Sequence, residues 1–258
     1  MKKIIIILLA ALFLVAAFMV VKELLQQAED QAQFDELAAL VTVETPKPAT
    51  QPAQPQSPEE EQETEPATEL VPVTRDLTPL FDRNADCIGW IQIPGTQVNY
   101  PVMHTPQEPE RYLHKNFYGE YSLAGVPFMD GNCALQDHNR ILYGHNMKNG
   151  TMFAEIKYYR DIAYWESHPT VEFQTAEGSA RYAVFAVVQV KDVDDWYNFH
   201  SAPDQAAYDH WIAQIRAQAL YDTGITPAYG TQLLTLSTCY GAESDDRILV
   251  IAALIYET

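Results

Sequence analysis

Positive charge is what this chain has least of. Of its 258 residues only 16 are Lys or Arg, against 35 Asp or Glu, which leaves a net charge of −19. No basic stripe is present to neutralise phosphates, so a nucleic-acid partner is excluded. The acids are not confined to one stretch but continue to the C-terminus, which reads as a solubilising surface. Cysteine is equally scarce: Cys87, Cys133 and Cys239 are the only three. An odd number means that at least one thiol stays free or pairs outside the chain. The three stand far apart, and no His pair sits at helical ligand spacing in a suitable context, so metal binding has little support. Disulfides are not required either, because 47% hydrophobic residues in a chain of this length can form a packed core unaided. The sequence contains no internal repeat.

Long apolar runs are absent except at the start. Met1, Lys2 and Lys3 precede an uncharged run from Ile4 to Val21, closed by Lys22. That length is enough for one helical crossing of a bilayer. A cleavable signal peptide is the alternative, but its apolar core would be shorter and end in small residues, whereas this run continues through Phe18, Met19, Val20 and Val21. The lysines favour a cytoplasmic N-terminus (1–3), a transmembrane anchor (4–21) and an extracellular remainder at the cell membrane. Residues 22–41 carry Leu24, Leu25, Phe34, Leu37 and Leu40 among polar positions, which predicts a juxtamembrane helical stalk. Residues 42–70 are rich in Pro, Glu, Gln and Thr and nearly devoid of large apolar residues; they read as a disordered spacer.

The folded domain is expected over 71–258. A short helix is predicted near Leu77–Arg83, then β-type segments at 88–93, 98–103, 140–143, 171–175, 181–190, 231–238 and 247–256, bounded by turn residues. Many short strands without regular intervening helices suggest a barrel or sandwich, a mostly β fold. One helix interrupts them at 204–221, where Tyr208, Trp211, Ile212, Ile215 and Ala219 form a core-facing stripe.

Three polar residues stand at the margins of these strands. Thr235-Leu236-Ser237-Thr238-Cys239 ends an apolar segment, His145 follows Ile141–Tyr143, and Arg247 opens the last strand. Together they suit acyl transfer: a thiolate attacks a carbonyl, an imidazole moves the proton, and a guanidinium stabilises developing charge on oxygen. The segments TLSTC (235–239), ILYGHNM (141–147) and an arginine eight positions after the cysteine resemble the signatures of sortases, in that order. Gly89-Trp90-Ile91, Ile93-Pro94-Gly95-Thr96, Tyr100-Pro101-Val102-Met103, Tyr112-Leu113 and Phe128-Met129-Asp130 are similar to class B members.

The resemblance implies a closed eight-stranded sortase-type barrel with an N-terminal helix and a helix inserted before the cysteine-bearing strand, and no metal or organic cofactor. It implies a cysteine transpeptidase that cleaves a C-terminal sorting motif of secreted proteins after Thr, through a thioacyl-enzyme, and transfers the acyl group to an amine of peptidoglycan or its precursor. Cys239 would be nucleophile, His145 general acid/base and Arg247 the carbonyl stabiliser. The inserted helix with Leu113, Trp196, Tyr197, Thr235, Ser237 and Thr238 would line the peptide groove. The sequence departs from some class B members at Tyr240 and Gly241, where an acid can stand, and at Pro109, where asparagine can stand. Other readings are a pilin-polymerising sortase, an L,D-transpeptidase, whose His-Gly-Cys-type motif is missing here, and an anchored extracellular binding module without catalytic activity.

Overall fold

A computed structural model of the protein describes residues 2–41, 43–44, 72–240 and 245–257. In chain order the elements are α1 (Lys2–Leu40), β1 (Val43–Glu44), β2 (Thr74–Arg75), α2 (Thr78–Arg83), β3 (Cys87–Gln92), β4 (Asn99–Met103), β5 (Phe128–Met129), β6 (Asn139–Tyr143), α3 (Ile162–Ser167), β7 (Thr170–Thr175), β8 (Gly178–Lys191), α4 (Gln205–Gln218), β9 (Leu233–Cys239) and β10 (Asp246–Glu257). Short 3₁₀ turns lie at Arg111–Leu113, Ala154–Arg160 and Asp195–Asn198.

β3 to β10 close into a barrel in the order β10-β8-β7-β3-β4-β5-β6-β9. The seven expected strands are all present, and the eighth is the two-residue β5. It pairs parallel to β4 and antiparallel to β6, so a very short segment completes the closure. A closed barrel leaves no free strand edge. Its packing explains the glycine of the Gly89-Trp90-Ile91 segment: a Cβ there would lie 2.2 Å from the Gln174 carbonyl oxygen on β7.

Two apolar layers result. One is a large cluster of buried residues that includes Ile91, Val102, Leu142, Leu236 and Val250 of the barrel strands. Outside it, α4 lays Tyr208, Ile212 and Ile215 on Phe185, Leu233, Leu249 and Ile251. Asp204 caps that helix, its carboxylate accepting from Ala207 N at 2.9 Å. The stripe read from the sequence is therefore the packing face.

The helix expected at residues 22–41 is continuous with the apolar segment before it and packs on the domain. α1 is one uninterrupted helix, and among the described residues it is the one helix long and apolar enough to cross a membrane. Its large apolar residues from Ile4 to Val21 are exposed, but Phe34, Leu37 and the following Val41 are buried in the same core as the barrel. Ser122 Oγ donates to Asp30 Oδ2 (2.9 Å), Gln26 Nε2 donates to the Tyr121 carbonyl (3.0 Å), and Phe34 meets the Tyr100 ring edge-on at 5.1 Å. The second half of the helix is thus part of the domain's packing. The spacer at 42–70 lies outside the described residues except for Val43–Glu44, which are not free chain: they pair with Thr74–Arg75.

Candidate functional site

Strand direction brings the three chemical residues to one mouth of the barrel. β6 and β9 run parallel, Tyr143 opposite Ser237, so both deliver their C-terminal ends to the same rim. β10 runs antiparallel to β9 and begins there, with Arg247 directly opposite Cys239. β8 ends at that rim too, its Lys191 opposite Asp246. A cleft of about 530 Å³ opens at this point, and Cys239, His145 and Arg247 all line it.

The loop carrying His145 is fastened to the strand carrying Cys239. Gly144 N donates to the Ser237 carbonyl at 3.2 Å, and Thr238 Oγ1 donates to the Gly144 carbonyl at 2.6 Å. Asn146 Nδ2 donates to the Cys239 carbonyl at 3.0 Å. Across the loop, Phe153 N donates to the His145 carbonyl at 2.9 Å and Asn146 bridges Met152. Glycine is required at 144 because a Cβ would stand 2.6 Å from the Phe153 ring.

The imidazole of His145 is oriented from the opposite wall. Its Nε2 lies 2.9 Å from the Leu113 carbonyl, which can only accept, so the proton is assigned to Nε2 and the lone pair of the neutral ring to Nδ1. Burial holds the pKa below the ordinary imidazole value; the Leu113 carbonyl works against this, and the ring of His114, stacked at 5.4 Å, adds to the lowering. Arg247 donates to Asp192 Oδ2 at 3.2 Å and to the Asp246 carbonyl at 3.0 Å, which fixes its fork at the cleft edge. Cys239 is exposed, whereas Cys87 and Cys133 are buried, their thiols pushed up to about 11 and about 12, mainly by desolvation. Only the residue-239 sulfur is thus open to a substrate.

A sequence model of the sortase domain matches residues 91–255. The chain belongs to the sortase family. Its curated relatives include the sortase B proteins of Staphylococcus aureus, 31% identical over 176 residues (67% of this chain, 71% of that protein), and Listeria monocytogenes, 30% identical over 169 residues (65% and 68%). A solved structure of sortase B from Bacillus anthracis in complex with AAEK1 superposes with a TM-score of 0.71 at 26% identity, covering 90% of this chain and 99% of that one. This sortase is of class B, a cysteine transpeptidase, and its barrel is that of the family. Membership does not favour the non-catalytic binding module.

Of the six expected groove residues, the sortase places Leu113, Tyr197, Ser237 and Thr238 on the cleft. Trp196 and Thr235 are not there: both are buried behind it, Trp196 Nε1 donating to Thr235 Oγ1 (3.0 Å) and Thr235 Oγ1 to Asn139 Oδ1 (2.8 Å). On a tight 3₁₀ turn, neighbours such as 196 and 197 point to different sides, so one enters the core while the other faces the cleft. The inserted helix α4 is also absent from the lining; its apolar face is spent on the outside of the barrel.

The sequence reading missed Tyr143, Asp130 and Asp192. Tyr143 donates to Asp130 Oδ2 at 2.7 Å and stacks on Tyr197 at 6.0 Å, while Tyr197 and Ser237 share a hydrogen bond of 2.8 Å. Tyr143 was legible as the neighbour of the Gly-His pair; Asp192 carried no local signal. The carboxylates of Asp245 and Asp246, just before Arg247 in sequence, pair with Lys191.

Proposed function

We propose that this class B sortase performs its transpeptidation with Cys239 as nucleophile, His145 as proton carrier and Arg247 as the stabiliser of carbonyl charge. The neutral His145 takes the thiol proton, and the sulfur attacks the carbonyl carbon of the scissile peptide bond. Negative charge on the carbonyl oxygen is met by the guanidinium fork. The imidazolium then protonates the leaving amine as the C–N bond breaks, leaving a thioester. In the second half the acceptor amine gives a proton to His145 and attacks the thioester, and the C–S bond breaks. The observation that carries this reading is the alignment of Arg247 against Cys239 on the rim to which β6 delivers His145.

The substrate would be the sorting motif of a secreted protein, cleaved after Thr and lying along Leu113, Tyr197, Ser237 and Thr238. The acceptor would be an amine of peptidoglycan or its precursor. Residues 4–21 would anchor the enzyme in the membrane, N-terminus inside and catalytic domain outside. The test uses the full chain in detergent with fluorogenic peptides of the forms N-P-x-T-x, S-P-x-T-x and L-P-x-T-G, and intact mass to detect an acyl adduct on Cys239. Cleavage with adduct is expected for one motif class, and both should vanish in Cys239→Ala; turnover that survives that substitution overturns the mechanism.

A further inference from the structure

At the cleft wall where Asp130 stands, but separate from the three catalytic candidates, three donor groups converge from two loops. Asp130, Cys133 and His200 each offer one ligand atom, and these atoms all lie within 4.8 Å of one another. We propose that this cluster is a zinc-type metal site, with a carboxylate, a thiolate and an imidazole as ligands and a fourth position for water.

The backbone presents the donors deliberately. Asp130 and Cys133 share one tight turn: Cys133 N donates to the Asp130 carbonyl (3.0 Å), and Asn132 N donates to Asp130 Oδ1 (2.8 Å). An Asp-x-x-Cys turn spaces two ligands as a Cys-x-x-Cys turn does. Asn139, at the start of β6, secures both sides. Its N donates to the His200 carbonyl at 2.8 Å, its carbonyl accepts from the Cys133 thiol at 3.6 Å, and its amide donates to the Phe199 carbonyl at 2.8 Å.

The decisive observation is that His200 Nε2 is buried with no hydrogen-bond partner. A buried imidazole nitrogen left unpaired is unfavourable, and a metal ion would remove that cost. Asp130 already has the outer support typical of a metal-binding carboxylate, since Tyr143 donates to its Oδ2. The donor set selects the cation: a thiolate and an imidazole suit Zn²⁺ and do not suit Ca²⁺ or Mg²⁺, which take oxygen ligands. Binding releases the Cys133 thiol proton to solvent and forms the metal–sulfur bond. Because Tyr143 stacks on Tyr197 in the cleft, the bound ion would stiffen one wall of the peptide groove.

The test uses the full chain in detergent, reduced, in a Cys239→Ala background so that the exposed thiol cannot contribute. Co²⁺ serves as probe and Zn²⁺ as competitor. A near-ultraviolet thiolate-to-cobalt band is expected to saturate at one equivalent and be bleached by Zn²⁺. Zn²⁺, but not Mg²⁺, should raise the melting temperature. Adding Cys133→Ser should abolish the band. Should that variant not fold, by near-ultraviolet circular dichroism without metal, the decision passes to His200→Gln, whose side chain is only half-buried. There Zn²⁺ affinity should fall on the order of 100-fold or more. No band in the parent, a band that survives Cys133→Ser, or an unchanged Zn²⁺ affinity in His200→Gln overturns the site.

Discussion

Arg247 and Cys239 occupy opposed positions in the β9–β10 ladder, so backbone pairing, not a loop, sets the two residues side by side on the cleft. This makes the pair rigid, and rigidity is what a charge-stabilising donor needs. Lysine keeps the charge but loses the planar fork and cannot hold both Asp192 and a substrate oxygen. Arg247→Lys is expected to lower kcat by about 100-fold, with little change in melting temperature and in the rate at which iodoacetamide alkylates Cys239. A kcat within a few-fold of the parent would remove Arg247 from the reaction.

Thr238 is the fastener between the strand that carries Cys239 and the loop that carries His145. Its hydroxyl donates to the Gly144 carbonyl, and the side chain is 2% exposed. Thr238→Val preserves β-branching and shape but leaves that part-buried carbonyl without its partner. Stability should drop by about 1–3 kcal/mol, read from denaturant midpoints. At temperatures where the variant is fully folded kcat should still fall, because Gly144 adjoins His145. If kcat is untouched in the folded variant, the contact serves stability alone.

Much of this was legible in the chain, and the exceptions have physical causes. Strands such as Ile88–Ile93 and Arg247–Tyr256 announce themselves by β-branched runs between turn residues, and the helix at 205–218 by its stripe. β5 could not be read because two residues show no period; only its neighbours in the barrel make it a strand. Cys239, His145 and Arg247 stood at strand margins, where topology later united them. Trp196 and Thr235 were misplaced because adjacency to a site in sequence does not fix which side of a turn a residue faces. His114 and Asp192 act through space on His145 and Arg247, and nothing local marks such contacts.

The depressed pKa of His145 gives a signed pH dependence. Burial disfavours the imidazolium, so the unfolded chain binds the proton more readily than the folded one. The resulting contribution to stability is present above the ordinary imidazole pKa of about 6.5 and is lost as pH falls through the lower folded value. In Cys239→Ala, an NMR titration of His145 should show a midpoint below that of a free imidazole. His114→Ala should move the midpoint upward, since the stacked ring adds to the lowering. A midpoint at or above the free value would contradict the burial argument.

The composition break at residue 71 suggests a natural place to cut the chain, but packing argues for a different one. Leu37 is fully buried, and Phe34 sits on Tyr100, whose hydroxyl accepts from Met152 N in the loop that carries His145. Met152 holds a positive φ of 57°, a conformation that needs its surroundings to maintain it. The helix therefore supports the loop that carries His145 through one intermediate ring. Leu37→Ala should cost about 2–5 kcal/mol, as expected for a large apolar side chain removed from a filled core. A chain beginning at Val71 should melt lower and turn over more slowly than one beginning at Glu23, which keeps the docked half of α1 without its exposed apolar half. Equal melting temperatures for the two would mean that the helix rests on the barrel without stabilising it.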